Sequence, residues 1–268
     1  MKLLDGRELA GYIEERQARQ VRALRQASHV FPKLAIVKVA DDPVINSYVN
    51  MKQQYAEDIL VETEIITPTL EDLPVAIERL NGDKTVHGII VQLPLPNGAD
   101  VEAILNSISP EKDVDGLGAH PSWTSATVLA IDWLLAGYNI ELRGKKIAIV
   151  GNGRLVGQPL TQSWATMGLD VQTYDDQTAD LPAEIKKAQV IVSATGVPGL
   201  VTSTMVQPGA VVVDAGTASE NGNIVGDVAS EVRERDDLTI TPAKGGVGPL
   251  TVTALFDNVI RAAQATVI

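Results

Sequence analysis

The stretch Lys146-Ile-Ala-Ile-Val-Gly-Asn-Gly-Arg-Leu-Val-Gly157 runs an apolar strand into glycines at 151, 153 and 157. A short apolar run of this kind suits a strand of a parallel sheet, buried on both faces. Glycines that end such a strand and open a helix bring backbone N–H groups and a helix N-terminus up to a pyrophosphate. The spacing Gly-x-Gly-x-x-x-Gly is one residue longer than the common dinucleotide fingerprint, and such turns also serve simply as tight connections. The glycines alone therefore leave nucleotide binding open. The next strand, Leu169 to Tyr174, ends in Asp175-Asp176, and Asp175 lies 24 residues beyond Gly151, about where a ribose-binding carboxylate falls. An acid at that place favours a free 2′-hydroxyl over a 2′-phosphate.

The turn lies in mid-chain, so the residues before about 120 need another task. Around it, the pattern predicts a helix from Thr124 to Tyr138, strands at 146–150, 170–174, 190–193 and 211–213, and helices near 155–167 and 181–188, a nucleotide-binding fold of modest size. Upstream, Glu8 to Gln26 reads as an amphipathic helix with Leu9, Ile13, Val21 and Leu24 on its apolar face. A strand over Leu34 to Ala40, a helix over Pro43 to Leu60, a strand over Val61 to Ile65, a helix over Glu71 to Leu80 and a strand in Gly88-Ile-Ile-Val-Gln-Leu-Pro-Leu-Pro96 follow. This alternation predicts a first α/β unit. Ser109 to Trp123, rich in proline and glycine, reads as the crossing between domains. Beyond Gly245-Gly-Val-Gly-Pro249, a last helix is expected from Leu250 to about Ala265.

With 268 residues, 45% of them hydrophobic, the chain is long enough for two domains. Its 22 Lys+Arg against 34 Asp+Glu give a net charge of −12, which argues against a nucleic-acid partner but leaves room for a small anion in a locally basic pocket. There are no cysteines, so disulfides, thiolate metal sites and cysteine nucleophiles are excluded. His29, His87 and His120 lack helical pair spacing, and no metal site is expected. The N-terminus carries no apolar leader and no run is long enough to span a membrane. The expectation is a soluble, cytoplasmic protein without a membrane partner.

Several polar residues keep unusual company. Tyr48 and Lys52, four apart in a predicted helix, share one face. A hydroxyl beside a partly desolvated lysine suits proton transfer, although an isolated Tyr-x-x-x-Lys is more often an exposed aromatic beside a solvated charge. Gln92 interrupts an apolar strand near its carboxyl end, where α/β folds place ligands; it also fits a satisfied core amide. Asp113 and Asp115 in Pro110-Glu-Lys-Asp-Val-Asp-Gly116 fit a turn and lack the spacing of a calcium loop.

Taken in order, Tyr48-Val-Asn-Met-Lys52, Gly88 to Pro96, Pro110 to Gly116, Val156-Gly-Gln-Pro159 and Gly245-Gly-Val-Gly-Pro-Leu-Thr251 resemble the methylenetetrahydrofolate dehydrogenase/cyclohydrolase family nearly end to end. The resemblance implies an α/β fold of two domains with a cleft between them, usually in a homodimer. An N-terminal catalytic domain (1–120 plus 247–268) would bind folate, and a Rossmann-like domain (121–246) the dinucleotide. It implies that Lys52 is the main catalytic residue, positioned by Tyr48 and assisted by Gln92, with Asp115 holding the pterin. Val91, Leu93, Gly246, Gly248 and Pro249 would complete the substrate site. Gly151, Asn152, Gly153, Arg154, Leu155, Val156, Gly157, Asp175, Asp176, Thr195, Gly196 and Thr217 would line the cofactor site. The implied substrates are one-carbon derivatives of tetrahydrofolate. The implied reactions are oxidation of 5,10-methylenetetrahydrofolate and hydrolysis of the methenyl product to 10-formyltetrahydrofolate.

The chain departs from the family pattern on the cofactor side. Where the family has Gly-Arg-Ser, with an arginine and a later serine receiving the 2′-phosphate of NADP, this chain has Gly151-Asn152-Gly153 and Asp175-Asp176. NAD is therefore expected over NADP, with the displaced Arg154 as the reservation. Ile45 replaces a usual serine, Ser122-Trp-Thr-Ser-Ala-Thr127 replaces a proline-rich hinge segment, and Lys244 replaces a proline. These changes keep two alternatives in view: a member with one of the two activities, and a noncatalytic folate or dinucleotide regulator.

Overall fold

The structure is a computed structural model that describes residues 1–220 and 223–267. From the N-terminus the chain runs β1 (Lys2–Leu3), α1 (Gly6–Ala23), β2 (Lys33–Val37), α2 (Pro43–Asp58), β3 (Glu62–Ile66), α3 (Leu73–Gly82), β4 (Gly88–Val91) and α4 (Val101–Asn106). It continues with α5 (Ala126–Gly137), β5 (Lys146–Val150), α6 (Gly157–Thr166), β6 (Asp170–Tyr174), α7 (Leu181–Ile185), β7 (Val190–Ser193) and β8 (Val211–Asp214). The antiparallel pair β9 (Ala218–Glu220) and β10 (Asn223–Val225), then β11 (Thr239–Ile240) and α8 (Val247–Gln264), complete it.

Two units emerge. One comprises Gly11–Ala126 and the chain from Val252 onward, and is built on a parallel sheet of order β3-β2-β4. Leu34 to Val37 are buried without alternation, which makes β2 the central strand. Leu73, Ile77 and Leu80 of α3 pack with Ala35, Val37, Ile89 and Val91 of the sheet and with Ile104 and Leu105 of α4. Three such side chains at roughly 1.5–3 kcal/mol each hold in place a ten-residue helix too short to be stable alone. The outer side of β4 carries a stub of strand: Ile89 N donates to Lys112 O at 2.8 Å, and Ile89 pairs in parallel with Asp113.

The other unit, Met1–Ala10 with Thr127–Thr251, holds a sheet of order β1-β11-β8-β7-β5-β6, parallel throughout. The chain leaves β5 for β6 on one side and reaches β7 on the other, so strand order reverses at the carboxyl end of β5. That is the place where such sheets bind ligands. Ala148, Val150, Ile191, Val212 and Ile240 fill one core layer with Ile185 and Val232.

The strands 146–150, 170–174 and 190–193 stand where the pattern predicts them. Others differ. β2 ends at Val37 and β4 at Val91, so Gln92 lies just past the strand rather than inside it. The first ten residues, expected with the folate-binding domain, go with the six-stranded sheet, because Lys2 N donates to Leu238 O and Leu4 N to Ile240 O, both at 2.9 Å. Residues 121–126 fall in the unit of Lys52, and 247–251 in the other. Among the described residues, no helix is long and apolar enough to cross a membrane.

Candidate active site

Helix α2 starts firmly: Asp42 accepts from Val44 N at 2.8 Å and Ile45 N at 3.2 Å, and Pro43 occupies the first turn. Its buried residues are Ile45, Val49 and Ala56. Lys52 falls on the same stripe by 3.6-residue spacing, so the helix carries an amine toward the sheet. Lys52 Nζ donates to Gln92 Oε1 at 2.7 Å. Gln92 is held in turn, with its backbone N donating to Val37 O at 2.8 Å and Nε2 to Leu93 O at 3.0 Å. The amide nitrogen is thus engaged and the oxygen faces the amine.

Burial draws the Lys52 ammonium below its ordinary pKa, while the charge of Asp115 works against that fall. Asp115 is pushed up to about 6 by desolvation, with Lys52 opposing and Asp113 reinforcing the rise. The pair is therefore poised nearer neutrality than two surface groups would be. Tyr48 lines a concavity of about 340 Å³ with Ala40, Ile45, Leu93 and Pro94, so the unusual Ile45 faces this space. Val91 is buried in the core.

The loop carrying Asp115 is fixed by two residues. Buried Asp113 accepts from Gly116 N at 3.0 Å and Gly118 N at 2.8 Å, which is the turn its sequence suggested. Asn258 of α8, fully buried, donates through Nδ2 to Val114 O at 2.9 Å and Thr124 O at 2.8 Å. Asn258 is absent from the sequence-derived set; its one signal is an amide among the apolar residues of the last helix. Gly116, at φ +68°, cannot take a side chain, since a Cβ would lie 2.7 Å from the backbone of Ser125.

In the unit of the six-stranded sheet, Gly151 has φ +103° and donates its N–H to Tyr174 O at 2.7 Å. A Cβ on Gly157 would collide with the Gly151 carbonyl, whereas one on Gly153 would meet nothing within 4 Å. The three glycines thus turn the chain, leave room for a ligand and let α6 approach the strand. Val156 offers no side-chain cap to α6, whose first N–H groups suit a diphosphate. Asn152, Arg154 and Leu155 are exposed on this turn, and Asp175 and Asp176 are exposed past the end of β6. Thr195 and Gly196 follow β7 and Thr217 follows β8; a Cβ on Gly196 would lie 3.5 Å from Thr217 O, so these loops are neighbours. These features fit a dinucleotide.

The structure therefore brings Lys52, Gln92 and Asp115 together, with Tyr48 and Leu93 beside them. Gly246, Gly248 and Pro249 belong to the other unit, at the start of α8. Among the described residues, no group of three or more histidine, aspartate or glutamate side chains could hold a metal.

Residues 4–115 match the catalytic domain, and residues 125–267 the NAD(P)-binding domain, of the tetrahydrofolate dehydrogenase/cyclohydrolase family models. The bifunctional protein FolD of an Exiguobacterium species is 37% identical, covering 98% of each chain. The crystal structure of the bifunctional FolD of Campylobacter jejuni is 34% identical with a TM-score of 0.93, covering 99% of each chain. The Trypanosoma brucei dehydrogenase-cyclohydrolase, solved with NADP cofactor and inhibitor, is 30% identical with a TM-score of 0.92, covering 99% of this chain and 98% of that one.

Proposed function

The chain belongs to the tetrahydrofolate dehydrogenase/cyclohydrolase family, and we propose that Lys52 is the residue on which its chemistry turns. The reactions are oxidation of 5,10-methylenetetrahydrofolate to the methenyl cation, with a nicotinamide dinucleotide as hydride acceptor, and hydrolysis of that cation to 10-formyltetrahydrofolate. Folate is assigned to the unit of Lys52 and the dinucleotide to the unit of Gly151.

The observation that carries the assignment is the 2.7 Å bond from Lys52 Nζ to Gln92 Oε1, beside a carboxylate, on the buried stripe of α2. Oxidation needs orientation rather than a strong base, and Asp115 and Gln92 supply anchors for the folate. In hydrolysis, water adds to the bridging carbon and gives up a proton to the neutral amine of Lys52. The C–N5 bond then breaks with its electron pair going to N5, which takes a proton from the Lys52 ammonium. The hydroxyl proton leaves as the formyl group forms, so the step releases one proton overall. Tyr48 and Leu93 flank the bound folate. Lys52→Met is expected to lower cyclohydrolase activity by about 10²–10⁴-fold, read from loss of methenyl absorbance. Near-normal activity would remove Lys52 from this role.

NAD is the preferred acceptor on this reading. Its support is the exposed pair Asp175 and Asp176 at the end of β6, where a second negative charge repels a 2′-phosphate and a carboxylate receives ribose hydroxyls. Comparable kcat/KM for NAD and NADP would overturn it. The working assembly is a homodimer by the same family reasoning, which sedimentation tests.

A further inference from the structure

Behind the loops assigned above to the dinucleotide lies a buried carboxylate that the reaction does not use. Asp227 is fully buried. Its Oδ2 accepts from Ser193 Oγ, at the end of β7, at 2.7 Å and from Thr195 N, the second residue beyond that strand, at 2.6 Å. Among the described residues its Oδ1 has no hydrogen-bond partner, and it lies against Gly216, just past β8, where a Cβ would overlap the carboxyl group. Asp214, the last residue of β8, secures Asp227 from the other side: Oδ1 accepts from Asp227 N at 3.0 Å and Gly216 N at 3.1 Å, and Oδ2 from Val228 N at 3.1 Å and Arg233 NH2 at 2.6 Å. One side chain therefore touches both loops that present Thr195, Gly196 and Thr217.

We propose that Asp227 is a positioning residue of the dinucleotide site, setting the loops after β7 and β8 in register with each other. The inference rests on the assignment of those loops to the dinucleotide. A buried acid with one oxygen unpartnered is costly. The cost is matched by what the carboxyl group fixes: a backbone N–H in one loop and the close approach of a glycine in the other.

The test measures KM for NAD and kcat in Asp227→Ala, Asp227→Asn and Ser193→Ala. Asp227→Ala is expected to raise KM for NAD by about tenfold, the equivalent of one lost hydrogen bond of this kind, with kcat within about twofold. Asp227→Asn keeps the acceptor at Oδ2 and is expected to restore KM to near the parent value. Ser193→Ala, which removes one donor and leaves the carboxylate, is expected to raise KM about threefold, and it carries the test should Asp227→Ala fail to fold. A purely structural role would lower the melting temperature and the active fraction and leave KM alone. Unchanged KM in whichever of Asp227→Ala and Ser193→Ala fold overturns the proposal. Gly153→Val separates the two levels. If it raises KM for NAD while the Asp227 and Ser193 variants do not, the positioning role alone fails; if it too is without effect, the dinucleotide assignment fails.

Discussion

Replacing Gln92 by leucine removes the acceptor of Lys52 Nζ while keeping nearly the same side-chain volume. The bond is 2.7 Å long with an ammonium donor, and its acceptor is locked by the 3.0 Å bond from Nε2 to Leu93 O. A hydrogen bond to a charged group in such a setting is worth about 1.5–3 kcal/mol. Deleting it acts in two ways. The ammonium loses a stabilising partner, so burial draws Lys52 further down and the acid limb of the cyclohydrolase pH profile moves to lower pH. The amine also loses its aim, and the plateau rate falls by up to about 30-fold, the value reached if some 2 kcal/mol of that bond serves orientation alone. Gln92→Glu is the counterpart. A carboxylate beside the amine favours the ammonium, so the limb moves to higher pH. The assay follows methenyl absorbance in buffers of constant ionic strength across the pH range. Limbs that stay in place in both variants, or move in the same direction, would refute the reasoning.

Two further outcomes follow from the loop that carries Asp115. Asn258→Leu leaves the carbonyls of Val114 and Thr124 without their buried donor, at a cost of roughly 2–4 kcal/mol in denaturant unfolding, and raises KM for the folate substrate; an unchanged unfolding midpoint would contradict this. Asp115 has its folded pKa raised from 3.8 to about 6, so the folded state holds the proton more tightly. Its favourable contribution is complete below pH 3.8 and is lost as pH rises through about 6. Asp115→Asn should therefore melt higher than the parent at pH 7.5, by at most about 3 kcal/mol in stability, while losing folate affinity. A lower melting temperature at that pH would show that the pairing with Lys52 outweighs the desolvation.

Strands β5 and β7 were legible as short apolar runs buried inside a parallel sheet, and β6, half-exposed at the sheet's edge, as the strand that ends in Asp175-Asp176. Two-residue strands such as β1 and β11 carry no periodicity, and their pairing joins positions such as Lys2 and Thr239, which no local pattern connects. Helix α4 is only six residues long and announces itself mainly through Asp100, which accepts from Ala103 N at 3.0 Å. Within the site, Lys52 was marked by Tyr48, yet the stronger mark is its place in the stripe Ile45, Val49, Lys52, Ala56, where an amine has no reason to be unless it works there. Asn258 and Asp227 were not legible for a different reason. Each acts on backbone atoms of a distant loop, and backbone atoms have no sequence signature.

The placement of Lys52 also has a consequence for reagents. An amine drawn toward its neutral form is the better nucleophile at physiological pH, so acylating agents and aldehydes should find Lys52 ahead of the exposed lysines. Lys112 is likewise drawn down by burial, but its Nζ donates to the carbonyls of Leu80, Asn81 and Asp83 at 2.7–2.9 Å and has no hydrogen to lose cheaply. A single covalent mark on Lys52, located in a peptide digest and protected by folate, would turn this buried amine into a handle for counting working sites in a preparation.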